Sequence, residues 1–287
     1  MFTYLPCKDS AEMADARRAE LLIPRHVAQA LGASAVVAAR AGQYFNEDGE
    51  TVHWGAEVTN AVASKVSIPP DKVLADPSTS WFDETHVQVT NETTLGVGKR
   101  LVDDGENPLA LNFANGIHPG GGFLSGALAQ EESLCRSSAL YLTLEDDPMY
   151  EAHRERPLPD STDWAIYSPD VPVFRTDAGT MLSKTWQLSF ITCAAPVATQ
   201  MDKRLAARLL AKRIERVLDI AHSLGYKQLI LGAWGCGAFG NDPLETAQSF
   251  RDVLEGKFPN AFSEIVFAIT DWSPQRKFLG PFRDVFR

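Results

Sequence analysis

The sequence predicts an α/β protein of three layers, a mixed, mostly parallel sheet between helices, with an N-terminal helical extension. Three observations predict it. From about residue 84, strand-like runs alternate with amphipathic helical runs, the pattern of strands joined by crossover helices. Several strands, LALNFAN (109–115), WQLSFITCAAP (186–196) and QLILGAW (228–234), are continuously apolar, as strands buried on both faces must be. Glycine-rich segments follow two of them, at Gly120 to Gly122 and Gly232 to Gly240, where open α/β sheets place their ligands.

The elements follow in order. DSAEMADARRAELL and PRHVAQALGASAVVAARAG have helical spacing, with Ser10 or Asp9 as N-cap and Gly42 as stop. GAEVTNAVASKVSIPPDKV adds a short helix broken at Pro69-Pro70. Residues 1–80 therefore read as a helical extension and 81–287 as the main domain. THVQVTN is an alternating strand, and TTLGVGKRLVDDG a helix closed by Gly105. Beyond the first glycine cluster a helix opens at Gln130 and carries Leu134, Ala139 and Leu140. EDDPMYEAHRERPLPDSTD reads as a solvated loop, and WAIYSPDVPVFR as two short strands around Ser168-Pro169. KRLAARLLAKRIERVLDIAHSL is the clearest helix, with Leu205, Leu209, Val217, Ala221 and Leu224 as its apolar stripe, six cations on a solvated face and Gly225 at its end. PLETAQSFRDVLEGKF (helix), EIVFAITD (strand) and PQRKFLGPFRDVF (helix) complete the chain.

At 287 residues with 45% hydrophobic and 22% charged residues, the composition is that of a globular domain with a substantial core. No apolar run approaches the roughly 18 residues of a membrane span, and the N-terminus lacks the charge and apolar core of a signal peptide, so a cytoplasmic protein without a membrane partner is expected. Cys7, Cys135, Cys193 and Cys236 lie far apart and show no CxxC spacing. Reduced thiols and no structural metal are expected. A net charge of −10 argues against direct, salt-driven DNA binding.

The stretch NFANGIHPGGGFLSGALAQEESLCRSS (112–138) organises the rest. Three consecutive glycines let the backbone take positive φ and approach a ligand, with N–H groups free to cradle phosphate oxygens. After seven intervening residues Gln130, Glu131 and Glu132 open a helix, which suits the dipole and sets carboxylates beside the loop. The second cluster, Gly235-Cys236-Gly237-Ala238-Phe239-Gly240, is literally GxGxxG after a strand. A dinucleotide site of that kind would need further βαβ units, for which the remaining 47 residues (287 minus 240) leave no room. Both clusters and Thr270-Asp271 lie past apolar strands and converge on one predicted cleft, suited to a nucleotide or pyrophosphate.

NFAN, HPGGGFLSGALAQEESLCRSSALY and GAWGCGAFGND together resemble the signature of the bacterial-type poly(ADP-ribose) glycohydrolases, which are built on a macrodomain. The resemblance implies hydrolysis of the ribose–ribose O-glycosidic bond, with Glu132 as acid and then base and Glu131 binding ribose hydroxyls. Adjacent glutamates stand about 100° apart on a helix, so they do not flank the bond from opposite faces as glycosidase carboxylates usually do. The resemblance further implies Asn115 against the distal ribose, Gly120, Gly121 and Gly122 as one phosphate clamp, and Gly235, Cys236, Gly237, Ala238, Phe239 and Gly240 as the other. Phe239 would stack on a ribose or cover the scissile bond. Gln130 orients the glutamates or the loop. His118 is read as positional, Ser125, Ser133 and Arg136 as support, and Thr90, Asn91 and Thr270 as the adenine end. No cofactor is implied. Poly(ADP-ribose) and ADP-ribosylated proteins are the implied partners, a monomer the working unit, and the DNA damage response the setting. The alternatives are an ADP-ribose-binding macrodomain without activity and a mono-ADP-ribosyl hydrolase.

Overall fold

A computed structural model describes residues 1–75, 82–156 and 160–287. The chain opens with strand β1 (Phe2–Tyr4), helices α1 (Ala11–Leu21) and α2 (Arg25–Ala41), strands β2 (Gln43–Phe45) and β3 (Thr51–His53), helix α3 (Gly55–Ser64) and strand β4 (Val66–Ile68). There follow β5 (Thr85–Thr90), α4 (Thr94–Asp103), β6 (Leu109–Ala114), α5 (Gln130–Ser137), α6 (Leu140–Leu144) and α7 (Pro148–Arg154). The last part is β7 (Ala165–Arg175), β8 (Met181–Ala194), α8 (Lys203–Ser223), β9 (Gln228–Leu231), α9 (Pro243–Lys257), β10 (Glu264–Ala268) and α10 (Leu279–Val285).

The main sheet has the order β1-β5-β10-β9-β6-β8-β7-β4. Neighbours from β1 through β8 are parallel, and β7 runs antiparallel to both β8 and β4. This is the mixed, mostly parallel sheet that the sequence predicts. Each central strand sends alternate residues into two cores, the period-2 rule applied to a sheet covered on both faces. Leu109, Leu111, Leu229, Leu231, Ile265 and Phe267 join the core under α8, α9 and α10. Ala110, Ile230 and Val266 join the opposite one, with residues of α2 to α6.

The first 75 residues differ from a purely helical segment. β1 and β4 form the two edges of the main sheet, and β2 pairs with β3 in a small hairpin. Strands of three residues carry no readable periodicity, which is why the helices alone were visible. The helices themselves are as read: the Ser10 side chain caps α1 by accepting from Met13 N, and Gly42 ends α2 at φ 67°.

Five further expectations are corrected. The segment expected as a solvated loop holds α7, capped by Asp147 and opened by Pro148, with Met149, Tyr150 and His153 buried. Its many charged residues hid that short apolar face; residues 157–159 of the segment lie outside the described residues. WAIYSPDVPVFR is one strand, not two. Its register shifts between Ser168 and Val171, with Asp170 at φ 48°, so Pro169 sits in a bulge where no ladder N–H is required. On α8 the buried face is Ala206, Leu210, Ile214, Val217, Leu218 and Ala221, while Leu205 and Leu224 are exposed. The stripe is offset because Leu209 and Leu210 are adjacent and the periodicity admits either. Arg213 leaves the solvated face: it is buried and donates to the carbonyls of Ala194 (2.9 Å) and Asp160. Finally, the helix at Gln130 ends at Ser137, and Leu140 belongs to α6.

Candidate active site

The parallel strands β5, β6, β9 and β10 end on one side of the sheet, and the loops after them build the site. After β6, the Asn115 side-chain oxygen accepts from the N–H groups of Ile117 and His118, both at 3.0 Å, which turns the chain sharply. Gly120 (φ 70°) and Gly121 (φ 59°) then take left-handed conformations, as expected, whereas Gly122 does not. Phe123–Ser125 form a 3-10 turn over the buried Phe123 ring. α2 covers this turn: Gly32 packs on the Phe123 backbone, and Arg25 Nε donates to Ser125 O at 2.7 Å.

α5 is fixed to β6 by Gln130. Its Oε1 accepts from Phe113 N at 2.9 Å, and its Nε2 donates to Leu111 O at 2.8 Å and to Thr94 Oγ1 at 3.1 Å. Glu131 and Glu132 in the first turn are both buried. Glu131 Oε2 accepts from Asn115 N at 2.7 Å, and Oε1 faces Asn112 Nδ2 at 3.4 Å. Burial pushes the Glu131 carboxyl up to about 8, against the lowering effect of the Asn115 N–H, and the neighbouring Glu132 charge adds to the rise. Glu132 Oε1 accepts from Gly122 N at 2.9 Å, while its Oε2 is buried without a hydrogen-bond partner. Arg136, one turn further on, donates to Ala127 O (2.7 Å) and Ser133 Oγ (2.9 Å), the supporting role expected of it.

The two glycine loops, both expected as phosphate clamps, differ in which N–H groups have acceptors within the protein. In the first, Gly121 N–H is bonded to His118 O at 2.9 Å and Gly122 N–H to Glu132. These donors are not free; the loop holds a carboxylate, and Gly121 carries no side chain because a Cβ there would overlap Glu132 Oε1. The second loop keeps its shape through bonds from Cys236 N to Ala233 O, Gly240 N to Gly237 O and Asn241 N to Gly235 O. Among the described residues, the N–H groups of Gly237, Ala238 and Phe239 have no acceptor in the protein, which is the arrangement of an anion cradle.

Beside this loop lies a cleft of about 310 Å³, walled by Phe113, Gln130, Gly235, Gly237, Ala238 and Phe239 on one side and by Thr270, Trp272 and Phe278 on another. Gln130 and Ser133 of α5 line the cleft, whereas Glu131 and Glu132 do not. Of the other expected residues, Cys236 turns away, its Sγ 3.5 Å from Thr246 Oγ1 and 3.6 Å from Trp234 O, and Gly240 packs on Thr199. Thr90 and Asn91 are fully buried below the cleft; Asn91 exchanges hydrogen bonds with the Asp271 backbone and so positions Thr270 without touching the cavity. Among the cleft residues that escaped the sequence reading are Glu92, Trp272 and Asp177. Asp177 accepts from Thr93 Oγ1 at 2.7 Å, and burial of its carboxyl pushes it up to about 6. Trp272, a large aromatic just past β10, was the one legible signal; Asp177 sits in what reads as an ordinary hairpin turn.

Fold and site together define a macrodomain-like protein whose nucleotide-sized cleft is lined by the helix that also bears a buried carboxylate pair. A family model for the microbial-type PARG catalytic domain, PARG being poly(ADP-ribose) glycohydrolase, matches residues 33–176. Poly(ADP-ribose) glycohydrolase from Thermomonospora curvata is 38% identical, with a TM-score of 0.85 over 91% of this chain and 99% of that one. Its structure with the inhibitor ADP-HPD matches with a TM-score of 0.83 at 38% identity, covering 90% and 99%. The Deinococcus radiodurans enzyme in complex with ADP-ribose is 42% identical, with a TM-score of 0.67 over 71% of this chain and 84% of that one. A comparison with curated proteins returns no match. The chain belongs to the family of microbial-type poly(ADP-ribose) glycohydrolases.

Proposed function

We infer that the chain hydrolyses the ribose–ribose O-glycosidic bonds of poly(ADP-ribose) and releases ADP-ribose, with Glu132 as the acid–base residue. The observation that carries the role of Glu132 is its buried Oε2 without a partner, beside an Oε1 held by Gly122 N–H. An unpaired buried carboxylate oxygen is costly unless a ligand completes it. In this reading the leaving 2′-oxygen takes a proton from Glu132, and the resulting carboxylate draws a proton from the attacking water, through an oxocarbenium-like transition state. Glu131, mostly protonated at neutral pH, contributes hydrogen bonding to ribose rather than a second negative charge. The terminal pyrophosphate lies against the free N–H groups of Gly237, Ala238 and Phe239, and the adenosine in the apolar part of the cleft near Thr270 and Trp272.

The same reading makes ADP-ribosylated proteins the natural substrates, a monomer the working unit, the cytoplasm its place and the DNA damage response its setting. The net charge of −10 argues against salt-driven DNA binding; the polymer, itself a polyanion, is held in this reading by backbone amides and stacking in the cleft.

The test is ADP-ribose release from purified polymer by the wild type and Glu132→Gln, with ADP-ribose binding measured alongside. Release lost in the variant while binding persists is the expected result. Binding without release in either protein would leave a non-catalytic reader, or a hydrolase of mono-ADP-ribosyl groups.

A further inference from the structure

A second cavity, of about 340 Å³, opens on the other side of the Gly235–Gly240 loop. Gly237 belongs to the walls of both cavities. The second one is completed by Asn241, by the first turns of α8 and α9, and by Lys277 ahead of α10. Lys203 and Arg204 of α8 and Lys277 bring three exposed cations to it, in a chain whose net charge is −10.

Some surface cations are paired, Lys99 with Asp103, Arg251 with Glu255, and Lys257 with both Glu215 and Asp219; what sets the three apart is that they line one cavity. Among the described residues no carboxylate lies within ion-pairing distance of Lys203, Arg204 or Lys277. The cavity has two carboxylates of its own. Asp242 is spent on capping α9, accepting from Leu244 N at 2.8 Å and Glu245 N at 3.0 Å. Glu245 lies in the first turn of that helix. Lys277 Nζ stands 5.2 Å over the ring of Phe278, which also faces the first cleft. No carboxylate neutralises the three positive charges, and their convergence on one cavity beside the anion cradle suits an anionic ligand.

We propose that this cavity is a second subsite, which takes phosphate groups of the polymer unit adjoining the one bound in the first cleft; the proposal rests on the glycohydrolase reading above. Every unit of the polymer carries a pyrophosphate. The adjoining unit is joined across the scissile bond at Glu132, and a chain that turns back from there over the Gly235–Gly240 loop brings its own pyrophosphate to Lys203, Arg204 and Lys277. Lysine and arginine are the side chains that hold phosphate by charge and fork geometry. A subsite of this kind contributes to binding chains but not to binding free ADP-ribose.

The experiment compares the wild type with Lys203→Glu/Arg204→Glu and with Lys277→Gln, using long polymer, ADP-ribose and inorganic pyrophosphate. Retained ADP-ribose affinity shows that each variant is folded with its first cleft intact. The expected result is a KM for long polymer raised about tenfold in the double variant, with a shallower salt dependence, and unchanged kcat. Unchanged KM and salt dependence would overturn the proposal. If pyrophosphate binding is lost while the polymer KM stays the same, the cavity serves small anions and the polymer assignment is wrong. If the wild type releases no ADP-ribose, the glycohydrolase reading fails separately; the subsite is then read from long-polymer binding, which falls in the variants if the cavity holds polymer and stays the same if it does not.

Discussion

Replacing Gly121 by alanine tests the argument that the first glycine loop exists to hold a carboxylate. At φ 59°, an alanine costs about 1 kcal/mol for its left-handed backbone alone. Its Cβ would also overlap Glu132 Oε1 and stand 3.0 Å from Glu131 Oε2, so Glu132 must move. Moving it breaks the 2.9 Å bond from Gly122 N–H and leaves that donor unpaired, a loss of about 2 kcal/mol. If that loss falls on the reacting geometry, about 2 kcal/mol corresponds to a fall in kcat of roughly thirtyfold. The backbone cost lowers the melting temperature by only about 2–4 °C. Initial rates of ADP-ribose release at saturating polymer measure the first effect, and a thermal melt the second. A kcat within threefold of wild type would refute the reasoning, because the glycine would then be dispensable for placing Glu132.

Other expectations concern the neighbours. The folded-state value of Glu131, raised from 4.5 to about 8, means that the native protein keeps a proton that the unfolded chain releases. Its contribution to stability is therefore full at acid pH and is lost as pH rises from about 4.5 to about 8. Glu131→Gln should flatten that part of the profile, and equal changes in melting temperature between pH 5 and pH 8 in both proteins would sink the assignment. Asn115→Asp keeps the oxygen that accepts from Ile117 and His118 but removes the side-chain donor. It should fold normally and bind ADP-ribose about tenfold more weakly, the loss of one good hydrogen bond; calorimetric titration gives the answer. At Gly237 a Cβ meets nothing within 4 Å and φ is not positive. Gly237→Ala should leave the melting temperature unchanged while raising KM, since only the ligand comes close to that position. A lowered melting temperature would show a structural role instead.

Much of this molecule was legible in the sequence because its signals are local. Continuous apolar strands and capped helices announce themselves by period and punctuation, and Gly-Gly-Gly followed by Gln-Glu-Glu juxtaposes residues that remain neighbours in space. What stayed hidden depends on contacts between distant segments. Nothing near Gly121 or Gly122 in sequence says that their N–H groups are taken by His118 and by a glutamate ten residues on. Asn91 looked like a ligand because it ends a strand, but it is consumed by the backbone of Asp271, 180 residues away. Asp177 and Glu92 reach the cleft from turns that carry no mark of it. Edge strands β1 and β4 were missed for a simpler reason: three residues pair only because a longer strand is already there to receive them.

The strand order has a consequence for how the protein comes into being. β10 lies between β5 and β9, yet it is the last strand to be synthesised. Until residues 264–268 leave the ribosome, β1 and β5 have no place to dock against the rest of the sheet, and the hydrogen-bonding edges of β5 and β9 stand open. Parallel pairings across such sequence separations form slowly, and unpaired edges invite association with other chains. The nascent chain must therefore wait for β10 before its sheet can close. A ribosome stalled anywhere before residue 264 would hold a chain with two open strand edges and no Thr270 wall to its cleft, a natural client for chaperones rather than a partly working enzyme.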